Sequence, residues 1–132
     1  MTVTSGLEVY TRLGVRSVIN AQGNRTVLGG SMPTPAVKAA MDQADGSYVK
    51  MQELLDRSGE FITDLLGVEA AYVTSGCAAA LALSSAACIA GDDPDRIAQL
   101  PDVTGLKHEI VIQKAQRYSY DRSYTVPGGR LV

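Results

Sequence analysis

The sequence predicts an α/β fold with a largely parallel sheet and helices on both faces. Three observations carry this. Helical spacing of apolar residues recurs over 35–44, 51–66 and 77–90. Short apolar runs of strand length, Ala70–Thr74 and Glu109–Gln113, fall between the helical stretches, and a third begins at Arg130–Val132. Glycine and proline punctuate almost every junction between them. Helices alternating with such strands call for a parallel sheet joined by crossovers.

Along the chain, Val15–Asn24 (VRSVINAQGN) reads as an extended arm and loop, and Gly29-Gly30 permits backbone conformations closed to other residues. Thr34-Pro35 starts a helix, with Thr34 as N-cap and Pro35 at the first helical position. Val37, Ala40, Met41 and Ala44 then form a stripe expected to be buried. In the next helix Met51, Leu54, Leu55, Ser58, Ile62, Leu65 and Leu66 share one face, read as ordinary core packing, and Gly67 ends it. The strand Ala70–Thr74 turns at Ser75-Gly76 into an Ala-rich helix, Cys77–Ala90, closed by Gly91. Asp93-Pro94 starts a short helical turn through Leu100, Glu109–Gln113 is the second strand, and Lys114–Thr125 is expected to be partly helical. Two regions are therefore expected: 1–34, an N-terminal arm and loop, and 35–132, the first part of a larger α/β domain cut at its third strand. Such a cut leaves an unpaired sheet edge and a poorly soluble or oligomeric chain.

Composition excludes several classes. Twelve Lys and Arg against fourteen Asp and Glu give a net charge of −2, without the cationic excess that nucleic-acid binding needs. The most apolar run, Cys77–Gly91, is shorter than the about 20 residues a bilayer demands. The N-terminus has neither the basic start nor the apolar core of a signal peptide. Cys77 and Cys88 on one helix stand roughly 16 Å apart at about 1.5 Å rise per residue, beyond disulfide reach. They read as small packing residues of a reducing compartment, so a cytoplasmic location is expected.

The stretch with most chemistry is Val73-Thr74-Ser75-Gly76-Cys77-Ala78. A strand passing through small residues into a helix presents unpartnered N–H groups and the positive end of the helix dipole. A phosphate can approach there, or the stretch is simply a tight strand–helix turn. It is neither G-x-G-x-x-G nor the lysine-bearing phosphate loop. His108 reads as a solvated loop residue. Asp92, Asp93 and Asp95 read as helix capping, not a cation site. Ser58, Ser84 and Ser85 have no His–Asp partners that would make them nucleophiles. The Arg117, Tyr118, Tyr120, Arg122, Tyr124 run reads as a substrate-side or partner-contact loop.

The segments SVINAQGNRTVLGGSMPTPAVKAAM, GEFITDLLGVEAAYVTSGCAAALALSSAACIAGDD and EIVIQKAQ, in this order and spacing, resemble the N-terminal third of pyridoxal-phosphate enzymes of the aspartate-aminotransferase fold. Within them the chain is most similar to the branch of selenocysteine synthase and D-glucosaminate-6-phosphate ammonia-lyase. The resemblance implies that Ser75, Gly76 and Cys77 bind the phosphate of pyridoxal 5'-phosphate. It places a side chain of the loop after EIVIQ over the pyridine ring. Gln116 stands where relatives often have His, and Tyr118 is a substitute. Asn20, Gly23 and Arg25 would line the substrate side, and the enzyme would be a homo-oligomer acting on a small amino-group substrate as a lyase or transferase. No tRNA partner is expected, since nothing in the chain is basic enough. None of Lys38, Lys50, Lys107 and Lys114 stands in the family's Schiff-base context, so no catalytic residue is assigned and the chain alone should be inactive. The alternatives are a non-catalytic phosphate-binding α/β module and an inactive truncated fragment.

Overall fold

A computed structural model describes residues 6–132, with side chains from Glu8 onward. The first five residues of the predicted arm lie outside the described residues. The chain divides into two compact units, Met1–Tyr48 and Val49–Val132.

The first unit holds helix α1 (Gly6–Arg12), a single 3₁₀ turn at Thr26–Leu28 and helix α2 (Pro35–Ala44). α1 has no counterpart in the sequence reading. Its signals are modest, Glu8 in the first turn and Arg12 in the last, each suited to the helix dipole. α2 begins as expected: the Thr34 hydroxyl accepts the Val37 N–H at 3.4 Å and Pro35 opens the helix. Its stripe, however, is not buried. Val37 and Met41 are 49% and 60% exposed, and none of residues 8–48 is buried. An amphipathic helix buries its apolar side only against a second layer, and the described residues of this unit supply none.

The second unit contains α3 (Met51–Leu66), α4 (Cys77–Ala90), α5 (Pro94–Gln99), β1 (Glu109–Ile110), α6 (Arg122–Thr125) and β2 (Arg130–Leu131). Two 3₁₀ turns, Lys114–Gln116 and Ser119–Asp121, precede α6, so the expected partial helicity of 114–125 is present. α3 ends at Gly67, whose φ of 65° is left-handed and whose N–H returns to the Thr63 carbonyl at 2.8 Å. Gly59 backs directly onto the carbonyl of Ala71, which brings the segment after α3 against the helix. The α3 face is narrower than its sequence suggests. Leu55, Ser58, Gly59 and Ile62 are buried or half-buried, while Met51, Leu54, Leu65 and Leu66 are exposed.

Ala70–Thr74 runs without helix but forms no strand ladder. A strand requires a hydrogen-bonded neighbour, and none of the described residues pairs with it. β1 and β2 do pair, in parallel, with Glu109 opposite Arg130 and Ile110 opposite Leu131. The Arg130 N–H donates to His108 O at 2.8 Å and the Val132 N–H to Ile110 O at 2.9 Å. The Arg130 guanidinium also meets the Glu109 carboxylate. The parallel sense expected from the sequence is thus present in a two-stranded sheet, and β1 is shorter than the predicted Glu109–Gln113.

The small core lies where α4 meets α6 and the β2 approach. Ile89 and Ala90 are buried, as are Ser85 and Ser123, and the Ser85 hydroxyl donates to the Tyr124 carbonyl at 3.0 Å. Gly129 fits between these pieces only because it lacks a Cβ, which would stand 2.3 Å from the Tyr124 carbonyl oxygen. No described helix is long and apolar enough to cross a membrane.

Candidate functional site

The turn into α4 is built from what its side chains omit. Gly76 is the N-cap, extended at φ 159° and ψ 173°, and no side chain caps the helix. The N–H groups of Cys77, Ala78 and Ala79 precede the first intrahelical donor, because the ladder opens with Ala80 N–H to Gly76 O at 3.0 Å. A Cβ built on Gly76 would meet nothing within 4 Å, so the approach to these donors is open. Ser75, Gly76 and Cys77 are all exposed. The Thr74 hydroxyl donates to the Gly76 carbonyl at 3.0 Å and fixes the turn from the preceding side. Thr74 is a turn-shaping residue that sequence reasoning missed. A hydroxyl two residues before the cap glycine was the available signal.

The loop after β1 contributes an aromatic group. Gln116 is exposed at the end of its 3₁₀ turn, its N–H donating to Gln113 O at 2.9 Å. Tyr118 and Tyr120 are each about half exposed, with ring centroids 5.5 Å apart and a 53° tilt. Desolvation pushes the Tyr118 phenol above its usual range, and the nearby Tyr124, Cys77, Asp121 and Tyr120 groups add to the rise. Asp121 holds this loop: its carboxylate pairs with the Arg117 guanidinium and accepts the Tyr118 N–H at 3.3 Å. The bond from Arg117 keeps the Asp121 carboxyl below the usual aspartate range.

Asn20, Gly23 and Arg25 belong to the first unit and form one tight loop of their own. The Asn20 amide donates to Gly23 O and its side-chain oxygen accepts the Gln22 N–H, both at 2.8 Å. Gly23 takes a left-handed φ of 75°, and its carbonyl accepts the Arg25 N–H at 2.8 Å. All three side-chain positions face solvent.

The remaining candidates behave structurally. Asp93 caps α5, accepting from the N–H groups of Asp95 and Arg96 at 3.0 and 3.3 Å. Ser85 is engaged with Tyr124. His108 is half-buried, not solvated, with Nδ1 2.9 Å from Leu106 O beside the strand pair. Cys77 and Cys88 are free thiols and exposed, so they do not pack as small core residues. Among the described residues no group of three or more His, Cys, Asp or Glu could hold a metal ion.

The described residues thus combine a two-stranded parallel sheet, a helix N-terminus with no side-chain cap after an extended segment, and an aromatic loop braced by Asp121. Comparison with known proteins makes this more particular. No family model matches the sequence. The chain is similar to D-glucosaminate-6-phosphate ammonia lyase of Salmonella typhimurium (strain 14028s / SGSC 2262), 34% identical over 94% of the chain. It is also similar to 5'-C-glycyluridine monooxygenase-decarboxylase of a Streptomyces species, 38% identical over 93% of the chain. The solved structure of a D-glucosaminate-6-phosphate ammonia-lyase superposes on the whole chain with a TM-score of 0.87 and 33% identity. The chain spans about a third of the length of these relatives, 35% and 32% of the two curated proteins and 36% of the solved chain. The resemblance expected from the sequence therefore holds for the ammonia-lyase in both sequence and fold.

Proposed function

We propose that the chain is the N-terminal portion of a pyridoxal-phosphate-dependent lyase or transferase acting on an amino-group substrate. The observation that carries this is the open, uncapped N-terminus of α4 at Ser75-Gly76-Cys77, in a chain whose fold matches an ammonia-lyase. In this reading the N–H groups of Cys77 and Ala78 and the Ser75 hydroxyl hold the cofactor phosphate, aided by the helix dipole. Tyr118 lies against the cofactor ring, with Gln116 at the edge of the same loop. Asn20, Gly23 and Arg25 of the first unit are substrate-side residues by the same resemblance. When bound, pyridoxal phosphate supplies an electron sink for charge at the substrate's α-carbon. The four lysines of the chain do not serve as its anchor, so catalysis requires more polypeptide than these 132 residues.

The relatives' names narrow the substrate class. Glucosaminate is an amino acid built on a sugar carbon chain, and glycyluridine joins a glycyl group to a nucleoside. The corresponding substrate here is an α-amino acid with a carbohydrate-derived side chain.

The test uses 4-deoxypyridoxine 5'-phosphate, which has the ring and phosphate but no aldehyde to react with surface lysines. Titrated into the labelled chain, it should shift the backbone amide resonances of Cys77, Ala78 and Ala79. Inorganic phosphate should shift the same amides, and unphosphorylated 4-deoxypyridoxine should not. Gly76→Val with Ser75→Ala should weaken binding at least tenfold. Amides of 77–79 that stay unmoved at saturating ligand, or unchanged affinity in the double variant, would remove the phosphate assignment.

A further inference from the structure

Packing does not fix the ring of Tyr118. The residue is 52% exposed, and its described ring contact is with Tyr120, itself about half exposed. A side chain so placed has several rotamers open to it in water, and ordering it on binding costs affinity. The constraint lies in the backbone beneath the ring, and Asp121 supplies it. One carboxylate oxygen of Asp121 accepts from Arg117 Nε, and the other accepts the Tyr118 N–H at 3.3 Å. The Asp121 N–H returns to the Tyr118 carbonyl at 3.1 Å. A single residue thus clamps two consecutive positions and engages both backbone groups of Tyr118.

This carboxylate is shielded where comparable ones are not. Its side chain is 14% exposed, against 43% to 61% for the carboxylates of the other three ion pairs among the described residues. Exposed pairs contribute little because water and salt screen them, so Asp121 is the one best placed to hold a loop. The brace is also tied to the helix that presents the free N–H groups. Asp121 leads directly into α6, whose Tyr124 carbonyl accepts the buried Ser85 hydroxyl of α4 at 3.0 Å. A continuous path therefore runs from α4 through Tyr124 and Asp121 to Tyr118.

We infer that Asp121 is a positioning residue that holds Tyr118 in the pose that meets the pyridine ring, and so sets how tightly the ring, as distinct from the phosphate, is bound. This rests on the reading of Ser75-Gly76-Cys77 as the phosphate site and of Tyr118 as the ring's partner. Both carboxylate oxygens are needed, because each serves a different donor, and asparagine has the same shape with only one acceptor oxygen. The test titrates 4-deoxypyridoxine 5'-phosphate and inorganic phosphate separately into the full 132-residue chain, with amides 77–79 as the reporter. Asp121→Asn should weaken binding of the pyridine compound about tenfold, the scale of one aromatic stack, and leave inorganic phosphate binding unchanged. Tyr118→Ala should weaken the pyridine compound to the same extent. The double variant should be no weaker than either single one, because both remove the same contact. Asp102→Asn is the control: its carboxylate accepts the Thr104 N–H and hydroxyl at 2.9 and 2.7 Å in a separate turn, and its loss should change neither affinity. Without ligand, proton cross-relaxation between the Tyr118 and Tyr120 rings should vanish in Asp121→Asn and persist in Asp102→Asn. The inference is overturned by unchanged affinity in Asp121→Asn, by additive losses in the double variant, or by ring cross-peaks that survive the substitution. Equal weakening of inorganic phosphate also overturns it, since the substitution would then be acting on α4 itself. If neither compound moves amides 77–79 in the unsubstituted chain, the cofactor reading fails and this inference with it. If both do and only the Asp121 outcomes fail, the cofactor reading stands alone.

Discussion

Gly59 and Gly129 are closed in on the side where a Cβ would stand, for different reasons. At Gly59 the obstacle is the Ala71 carbonyl oxygen, 2.5 Å away, which is backbone and cannot swing aside. At Gly129 it is the Tyr124 carbonyl together with Ile110 Cδ1 and the Ser85 hydroxyl. Gly59→Ala should therefore destabilise the second unit by about 1–3 kcal/mol in urea unfolding, although alanine is the better helix former. A stabilised variant would show that 68–74 is not seated on α3. Ser85→Ala removes a bond made at 4% exposure and leaves the Tyr124 carbonyl short of a donor. A loss of about 1–2 kcal/mol is expected. Asp121 gives a pH-dependent signature. Its folded pKa lies below the ordinary value of 3.8, so its contribution is complete above that value and disappears as pH falls through the lower folded one. The Tyr118 amide resonance should follow that acid step, and Asp121→Asn should abolish it. A Tyr118 shift that still titrates in the variant would assign the step to another group.

Among the elements, those with a local chemical signal were legible in the sequence. Thr34-Pro35, Asp93-Pro94 and Gly67 mark helix ends by hydrogen bonding and backbone freedom that need no distant partner, and each stands where it was read. Asp93→Ala should cost about 1 kcal/mol, concentrated in α5, because two N–H groups lose their acceptor at once. Local amide exchange of 95–99 is the measurement, and unchanged rates would mean that packing, not the cap, holds α5. The readings that failed each depend on a neighbour. The Val37, Ala40, Met41 stripe and half of the α3 stripe have the right period, but period cannot say whether a second layer is present. Ala70–Thr74 has strand composition and no strand beside it among the described residues. At the candidate site, the Ser75-Gly76-Cys77 turn was visible because small residues between an extended run and a helix are a local pattern. The Asp121 brace on Tyr118 was not, since it depends on two successive 3₁₀ turns that fold Asp121 back onto Arg117.

At the scale of the whole chain, stability is distributed unevenly between the two units. Every buried residue among those described falls within the second: Gly59, and the group where Ser85, Ile89, Ala90, Ser123, Pro127 and Gly129 knit α4 to α6 and β2. Residues 8–48 bury none, and α2 rests on a proline start and one hydroxyl cap. An isolated helix of ten residues is marginal in water, because nucleation is costly and few bonds repay it. Amide exchange of the chain alone should therefore show two regimes. Protection should be greatest in 80–90 and 126–132, where backbone bonds are shielded by the core, and close to random-coil rates should hold across 35–44. Phe61→Arg should leave both regimes unchanged, because the residue is 68% exposed. Exchange in α2 as slow as in α4 would show that the first unit has found a cover that its own residues do not supply.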